Sequence, residues 1–363
     1  MLKVGIVGLP NVGKSTLFNA LTSAKNAQSA NYPFCTIEPN VGVVSVPDER
    51  LYKLKDLVHT QTVIPTTIEF MDIAGLVKGA SKGEGLGNQF LHNIRECDAI
   101  VQVVRCFDDV NTIHVNGKVN PVDDIETINM ELALADMSTL ENISKRIAKQ
   151  VKSGDKEAKI QDSVINKCMP YLEKGQFIDS SDFTLDEKRA LHFCHLLMSK
   201  PVIYCANVSE MDLKEGNNYT KQVEEYAGAN AQVVRICANL EEELVDLGEE
   251  EAKNYLAELG IKNSGIERMI KSAYDILNLR TYITAGEKEV RAWTITKGIK
   301  APAAAGVIHT DFEKGFIKAE VVSYDDFISA GSWAAAREKG VARLEGKDYV
   351  VEDGDIIVFR FNN

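Results

Sequence analysis

One segment near the start of the chain constrains the fold more than any other. Residues 8–16 read G-L-P-N-V-G-K-S-T, which matches the pattern G-x-x-x-x-G-K-[ST]. The segment follows an apolar run, K-V-G-I-V, that is typical of a buried strand, and precedes a helix-like stretch, T-L-F-N-A-L. A strand, a glycine-containing loop and a helix in this order form the context that a phosphate-binding loop requires. The sequence therefore predicts that nucleotide phosphates bind at a helix N-terminus here.

Each residue type in this loop has a physical role. Gly8 and Gly13 permit backbone torsions that other residues avoid, so successive N–H groups can point into one concavity around a β-phosphate. Lys14 adds a cation beside the β- and γ-phosphates and is predicted to be catalytic, whereas Ser15 offers a hydroxyl to Mg²⁺. The predicted nucleotide-binding residues of the loop are Asn11, Val12, Gly13, Lys14, Ser15 and Thr16.

Two further segments are predicted to complete the phosphate site. D-I-A-G-L at 72–76 ends the strand T-I-E-F-M-D, so the Asp72 carboxylate can hold the magnesium shell and the Gly75 amide can reach a γ-phosphate. Thr36, in N-Y-P-F-C-T, is predicted to close over Mg²⁺ and the γ-phosphate. Loss of that phosphate would release the glycine-rich segment 77–87. An ordinary surface loop explains those glycines as well.

The identity of the base is predicted from residues 207–210, which read N-V-S-E where a GTP-binding protein would show N-K-x-D. Glu210 is one methylene longer than the Asp that pairs with guanine, and Val208 replaces the Lys whose stem would cover the base. The Asn207 amide can donate to N7 and accept from N6 of adenine. The sequence therefore predicts ATP rather than GTP. Backbone amides of I-C-A-N-L are expected to complete the base pocket, through Cys237, Ala238 and Asn239.

The patterns of apolar residues along the chain predict how it divides into folded units. With 363 residues and 45% apolar content, it is predicted to form two or three folded units. Residues 1–120 and 200–280 alternate strands and helices, which is typical of a parallel sheet covered by helices on both faces. Between 121 and 199 apolar residues recur at three and four, which indicates an inserted pair of long antiparallel helices, interrupted near 151–156. Residues 281–363 are predicted to form a small mixed sheet.

The net charge and the cysteine content limit the classes of function that are compatible with the sequence. The net charge is −12, with much of the acid in the run at 241–251, and this argues against unspecific wrapping of nucleic acid. The seven cysteines show no C-x-x-C spacing, so buried, reduced thiols are expected. The first residues enter the predicted strand directly, and no apolar stretch reaches membrane-spanning length. We therefore expect a cytoplasmic protein with no membrane contact.

Two groups of cations are candidate RNA contacts. On a continuous helix, one group would form a single basic stripe beside Arg146: Lys145, Lys149, Lys152, Lys156 and Lys159. An ordinary solvated helix face explains this group as well. The other group surrounds Trp293 in the C-terminal strands: Lys288, Arg291, Lys297, Lys300, Lys314 and Lys318.

In this order, the phosphate loop, D-I-A-G-L, N-V-S-E, the helical insertion and the C-terminal β-rich unit resemble the YchF-type Obg-like ATPases, a branch of the translation-factor-related P-loop GTPases. The resemblance covers the whole chain. It implies a G domain interrupted by a coiled-coil hairpin and followed by a TGS domain of β-grasp fold. It also implies ATP hydrolysis in preference to GTP hydrolysis, association with ribosomes and ribosomal RNA, and a role in translation or stress responses. A monomer is expected.

The catalytic set departs from that of many P-loop GTPases, which place a Gln after the D-x-x-G glycine. Here Leu76 takes that place and cannot orient the attacking water. His114, in the loop after A-I-V-Q-V-V-R, is one candidate replacement. A K⁺ ion ligated by Asn11 is another. Two other readings stay open, namely a conventional GTPase in ribosome assembly and a nucleotide-gated RNA- or ribosome-binding protein with negligible turnover.

Overall fold

The computed structural model describes residues 2–28, 40–73, 86–109, 117–228 and 231–362. These residues fold into two compact units. The first contains 2–28, 40–43 and the described residues from 69 to 269, and the second contains 44–68 and 270–362. The predicted helical insertion thus belongs to the first unit, and residues 44–68, predicted to lie in the nucleotide-binding part, belong to the second.

The strands form two six-stranded sheets, with the orders β2-β4-β1-β5-β6-β7 and β11-β10-β12-β8-β9-β3. Their bounds in chain order are β1 Leu2–Val7, β2 Val41–Ser45, β3 Val63–Ile64, β4 Thr67–Asp72, β5 Ala99–Arg105, β6 Val202–Asn207, β7 Gln232–Ile236, β8 Leu279–Ala285, β9 Val290–Thr296, β10 Phe316–Val322, β11 Arg343–Glu345 and β12 Ile356–Phe361. In the first sheet β1, β5, β6 and β7 pair in parallel. The carboxyl ends of these strands therefore meet at one edge.

The helices follow the predicted alternation in the first unit and continue into the second. Their bounds are α1 Lys14–Gln28, α2 Glu49–Val58, α3 Leu86–Arg95, α4 Pro121–Ser153, α5 Lys156–Leu172, α6 Leu185–Phe193, α7 Asn218–Ala227, α8 Ala238–Asp246, α9 Glu249–Glu258, α10 Gly265–Ile276, α11 Ala301–Ile308, α12 Thr310–Lys314, α13 Tyr324–Ala330 and α14 Trp333–Glu338. Two 3-10 helices lie at Leu197–Ser199 and Glu210–Asp212.

The predicted helical insertion is a hairpin of α4 and α5, which pack against each other. Asn120 caps the start of α4, and Gly154 ends it with a φ of 87°, a left-handed conformation that glycine adopts without strain. Asp155 then caps α5 by accepting a hydrogen bond from Ala158 N. The interruption expected near 151–156 is therefore present, and the five lysines between 145 and 159 do not share one continuous helix.

In the second unit both faces of the sheet pack against apolar clusters. Neighbouring residues of one strand belong to different clusters, because their side chains point to opposite faces. Tyr282 packs in one apolar cluster with alanines of α11, whereas Ile283 packs in another with Leu51 and Leu54 of α2. α2 is thus part of the C-terminal core, although more than 200 residues of sequence separate it from β8. The sequence did not predict this placement.

The structure bears on two predictions made from the sequence, namely the state of the cysteines and the lack of a membrane-spanning segment. Six of the cysteines, at 97, 106, 168, 194, 205 and 237, are free and buried, as predicted, and Cys35 lies outside the described residues. Among the residues that the structure describes, no helix has the length and apolar character needed to cross a bilayer.

Candidate nucleotide-binding site

The phosphate loop lies between β1 and α1 and has the backbone geometry that the motif predicts. Asn11 and Gly13 have φ values of 63° and 94°, so the chain turns through left-handed conformations on either side of Val12. Val12 is buried, and the Gly13 carbonyl accepts the hydrogen bond from Leu17 N that starts α1. Lys14 and Ser15 therefore lie in the first turn of a helix whose N-terminus favours an anion.

Gly13 also has a packing reason to be glycine. A Cβ atom added at this position would lie 2.1 Å from Asn207 Nδ2. The phosphate loop therefore passes directly over the end of β6, where Asn207 is located, and only a residue without a side chain fits.

Asn207 joins three elements of the site. Its side-chain Nδ2 donates to the Val12 carbonyl oxygen over 2.9 Å, and its Oδ1 accepts from Ala238 N, at the start of α8, over 3.0 Å. The side chain is buried, so both bonds are protected from water. The predicted contact to adenine would need the second N–H and the second lone pair of this amide, because the other two are used within the protein.

Asp72 and Lys14 form the polar pair of the phosphate site. Asp72 ends β4, the neighbour of β1 in the sheet, and its carboxylate oxygen Oδ1 accepts a hydrogen bond from Lys14 Nζ. Lys14 is 8% exposed, so its charge is held inside the protein beside this carboxylate. The two predicted phosphate-site residues are therefore brought together.

The N-V-S-E segment ends β6 and enters the 3-10 helix at Glu210–Asp212. Val208 is buried, and its N–H donates to the Ile236 carbonyl of β7 over 2.8 Å. Glu210 Oε1 accepts a hydrogen bond from the phenol of Tyr255, in α9, over 3.0 Å. This hydrogen bond raises the pKa of Tyr255.

A second carboxylate follows in the same turn and is also engaged. Asp212 Oδ2 accepts from Ser209 Oγ and from Asn217 Nδ2, each over 2.9 Å. Asn217 donates in addition to the Cys106 carbonyl, so the loops after β5 and β6 are tied together. Beside them lies an open cavity of about 790 Å³, lined in part by Phe107, Ser209, Met211 and Tyr219.

The predicted base-pocket residues after β7 start α8. Cys237 is the N-cap residue and is buried, and burial raises the pKa of its thiol. Ala238 is held by Asn207, as described above, whereas Asn239 is exposed. These residues therefore lie beside N-V-S-E.

Several predicted residues cannot be placed. Thr36, Gly75, Leu76 and His114 lie outside the described residues. Tyr255, conversely, contacts Glu210 but was not predicted, because a lone Tyr on a helix 45 positions downstream carries no sequence signal for this contact. Asn217, which contacts Asp212, and Phe107, which lines the cavity, were not predicted either.

The candidate RNA contacts are mostly exposed. All five lysines between 145 and 159 are exposed, and Lys145 lies 3.9 Å from Glu141. In the C-terminal unit the Arg291 guanidinium stacks over the Trp293 ring at 4.1 Å, and Lys300 pairs with Asp348 over 2.7 Å.

Comparisons with known proteins cover the whole chain. The family model MMR_HSR1, described as "50S ribosome-binding GTPase", matches residues 3–167, and the model YchF-GTPase_C, described as "Protein of unknown function (DUF933)", matches 279–362. The chain is 55% identical to the "Ribosome-binding ATPase YchF" of Bacillus subtilis and 56% identical to that of Escherichia coli O157:H7, with 99% of both chains covered in each case.

A solved structure is also similar to this chain over nearly its whole length. The YchF GTPase of Schizosaccharomyces pombe is 41% identical, with a TM-score of 0.87, and the match covers 99% of this chain and 97% of that one. The names of these relatives differ over the nucleotide, since some say ATPase and one says GTPase. The full-length identity and the shared fold nevertheless agree on one point, which is that the chain belongs to the YchF family.

Proposed function

We propose that the protein is a ribosome-associated P-loop ATPase that binds and slowly hydrolyses ATP in preference to GTP. Its nucleotide state would act as a switch in translation or in a stress response. The observation that carries the proposal is the phosphate loop locked over Asn207, with Lys14 and Asp72 beside it. The names of the full-length relatives support the ATPase activity and the ribosome as partner.

The phosphate end of the site fits Mg²⁺. Ser15 presents a hydroxyl in the first turn of α1 and is exposed, and Asp72 presents a carboxylate at the same sheet edge. Oxygen ligands of this kind are those that Mg²⁺ prefers. Among the described residues no cluster of three or more His, Cys, Asp or Glu forms a metal site, so phosphate oxygens would supply the other ligands. Bound Mg²⁺ would neutralise charge on the β- and γ-phosphates.

Lys14 pairs with Asp72. A triphosphate would offer Lys14 a stronger anionic partner, and Asp72 would then be free to support the magnesium shell. The pair holds both side chains at the phosphate end of the site. Thr36 and Gly75 are proposed to complete the site around the γ-phosphate.

The residues at the base end of the site support the proposed preference for ATP over GTP. Val208 is buried and has no long stem to lay across the base, and the Glu210 carboxylate is held by Tyr255. Guanine recognition needs an acceptor aimed at its N1–H and N2 amine. The residues that would give a guanine site its preference are thus absent or engaged elsewhere.

Hydrolysis needs a group that orients water, because Leu76 cannot do so. We propose either His114 or a K⁺ ion beside Asn11, whose φ of 63° belongs to the turn around the phosphates. Replacing KCl with NaCl at constant ionic strength would lower turnover if K⁺ acts, and His114→Ala would lower it if His114 acts. Equal rates in both experiments would reject both candidates.

The ribosomal contact is proposed to involve ribosomal RNA, through the exposed lysines of the helical hairpin and the cations around Trp293. Sedimentation of the protein with ribosomes tests this. With a non-hydrolysable ATP analogue the protein should sediment differently from the ADP-bound form, and rising salt should weaken the contact. Nucleotide-independent sedimentation would contradict the switch, and a flat response to salt would contradict the RNA contact.

Leu76 also favours a second candidate, a nucleotide-gated ribosome-binding protein with negligible turnover. One variant distinguishes the two candidate functions. A hydrolysis-deficient protein that still binds ATP should lose its function in cells if turnover resets the switch, and should keep it if binding alone suffices.

A further inference from the structure

Two carboxylates in the turn that follows β6 accept hydrogen bonds from side chains of the protein itself. Glu210 accepts from Tyr255, and Asp212 accepts from Ser209 and Asn217. Asp212 is held by two donors within its own loop. Glu210, by contrast, is held by a single donor from another helix, α9, and it occupies the position in N-V-S-E that would otherwise read guanine.

We propose that Tyr255 is a specificity-determining residue that keeps the Glu210 carboxylate away from the base and so disfavours GTP. The inference rests on the proposed preference for ATP and explains part of it by a residue outside the motif. Glu210 has the chemistry to accept from guanine N1–H and N2–H, because its carboxylate differs from that of Asp only in reach. Its partner decides where the carboxylate points.

The surroundings of Tyr255 favour this arrangement. Glu243 and Glu258 contribute to the raised pKa of Tyr255, so its phenol lies in an acidic region, where it donates a hydrogen bond to the Glu210 carboxylate. Tyr255 is only partly exposed, so part of its side chain lies against the protein. Adenine offers no N1–H, so the position of Glu210 has little effect on ATP.

The test is a double-mutant cycle on the full chain, with dissociation constants for non-hydrolysable ATP and GTP analogues measured in the presence of Mg²⁺ by calorimetry. Tyr255→Phe removes only the hydroxyl. Release of one partly exposed hydrogen bond to a carboxylate should tighten the GTP analogue by about two- to five-fold. The affinity for the ATP analogue should stay the same, which also shows that the variant is folded.

Two further variants make the result specific. The double variant Tyr255→Phe with Glu210→Gln should show no tightening of the GTP analogue, because an uncharged amide with one acceptor oxygen replaces the carboxylate that could accept from both guanine N–H groups. Tyr349→Phe is the matched control, since its phenol donates to Asp355 over 2.7 Å in the C-terminal unit, and it should leave both affinities unchanged.

The outcomes separate this inference from the proposed function. An unchanged GTP affinity in Tyr255→Phe, or a gain that persists in the double variant, would overturn the role of Tyr255 while the wild-type preference for ATP stands. A wild-type protein that binds the GTP analogue more tightly would instead overturn the proposed function itself.

Discussion

The Asn207 side chain donates to the Val12 carbonyl oxygen over 2.9 Å, across 195 positions of sequence. This bond fixes the phosphate loop to the end of β6, and the second bond of the same amide, to Ala238 N, fixes α8. One buried side chain thus holds together the loop for the phosphates and the segments beside the base. The two hydrogen bonds of this amide therefore fix the relative positions of the phosphate loop, the end of β6 and the start of α8.

Replacing Asn207 by Ala should weaken nucleotide binding on the order of ten- to a hundred-fold. The change leaves the Val12 carbonyl and Ala238 N–H without their buried partner, at a cost of about 1–3 kcal/mol for each group. Asn166→Ala is the control, because that amide makes one long, exposed bond to Asp162. Titration calorimetry with ATP measures the effect. Equal losses in both variants would argue against the joining role.

Gly13→Ala should abolish ATP binding and destabilise the first unit by about 1–3 kcal/mol. The new Cβ would lie 2.1 Å from Asn207 Nδ2, and alanine would be strained at a φ of 94°. Gly117→Ala separates these causes, because its φ is 76° but no described residue has an atom within 4 Å of the added atom. Thermal denaturation and nucleotide titration of both variants give the comparison. A Gly13→Ala protein that binds ATP normally would contradict the close approach.

Leu54→Ala should destabilise the C-terminal unit by about 2–5 kcal/mol, because the side chain is fully buried against the second sheet. Tyr52→Ala, on the same helix but 61% exposed, should change stability by less than about 0.5 kcal/mol. Hydrogen exchange should report faster exchange in β8, β9 and β12 of Leu54→Ala, with β5 and β6 unaffected. Loss of protection in β5 and β6 alone would contradict the placement of α2.

Asp136 should make stability depend on pH. This carboxylate, in α4, is buried and accepts from Leu197 N and Met198 N over 2.9 and 2.8 Å. Burial raises its pKa from 3.8 to about 6. The folded protein therefore keeps this proton at pH values where the unfolded chain has lost it, so stability should fall as pH rises from about 4 to about 6.

The comparison protein for this effect is Asp136→Asn, which cannot titrate at that position. The stability difference between the two proteins, from chemical denaturation, should change by about 2–3 kcal/mol between roughly pH 4 and pH 7. A constant difference over this range would show that Asp136 does not carry the predicted shift.

Local patterns in the sequence predicted much of this structure. The phosphate loop, the strand at 99–105, the start of the strand at 202 and the interruption of the long helix by Gly154 follow from residue types at short spacing. The proximity of Lys14 to Asp72 followed from two motifs that each end a strand of the same sheet.

Long-range pairings were not predictable in this way. The apolar pattern of α2 shows that one face is buried but not which sheet covers it, and the partner is β8, far downstream. The role of Asn207 in joining three elements, and the contact of Tyr255 with Glu210, likewise depend on where separate elements meet. A single sequence carries no local trace of such contacts.

The preference for ATP is tested most directly by competition between ATP and GTP for the wild-type protein at equilibrium, with Mg²⁺ present and hydrolysis prevented. ATP should displace a labelled nucleotide at lower concentration than GTP, by about ten-fold or more. GTP binding about ten times more tightly than ATP would contradict it.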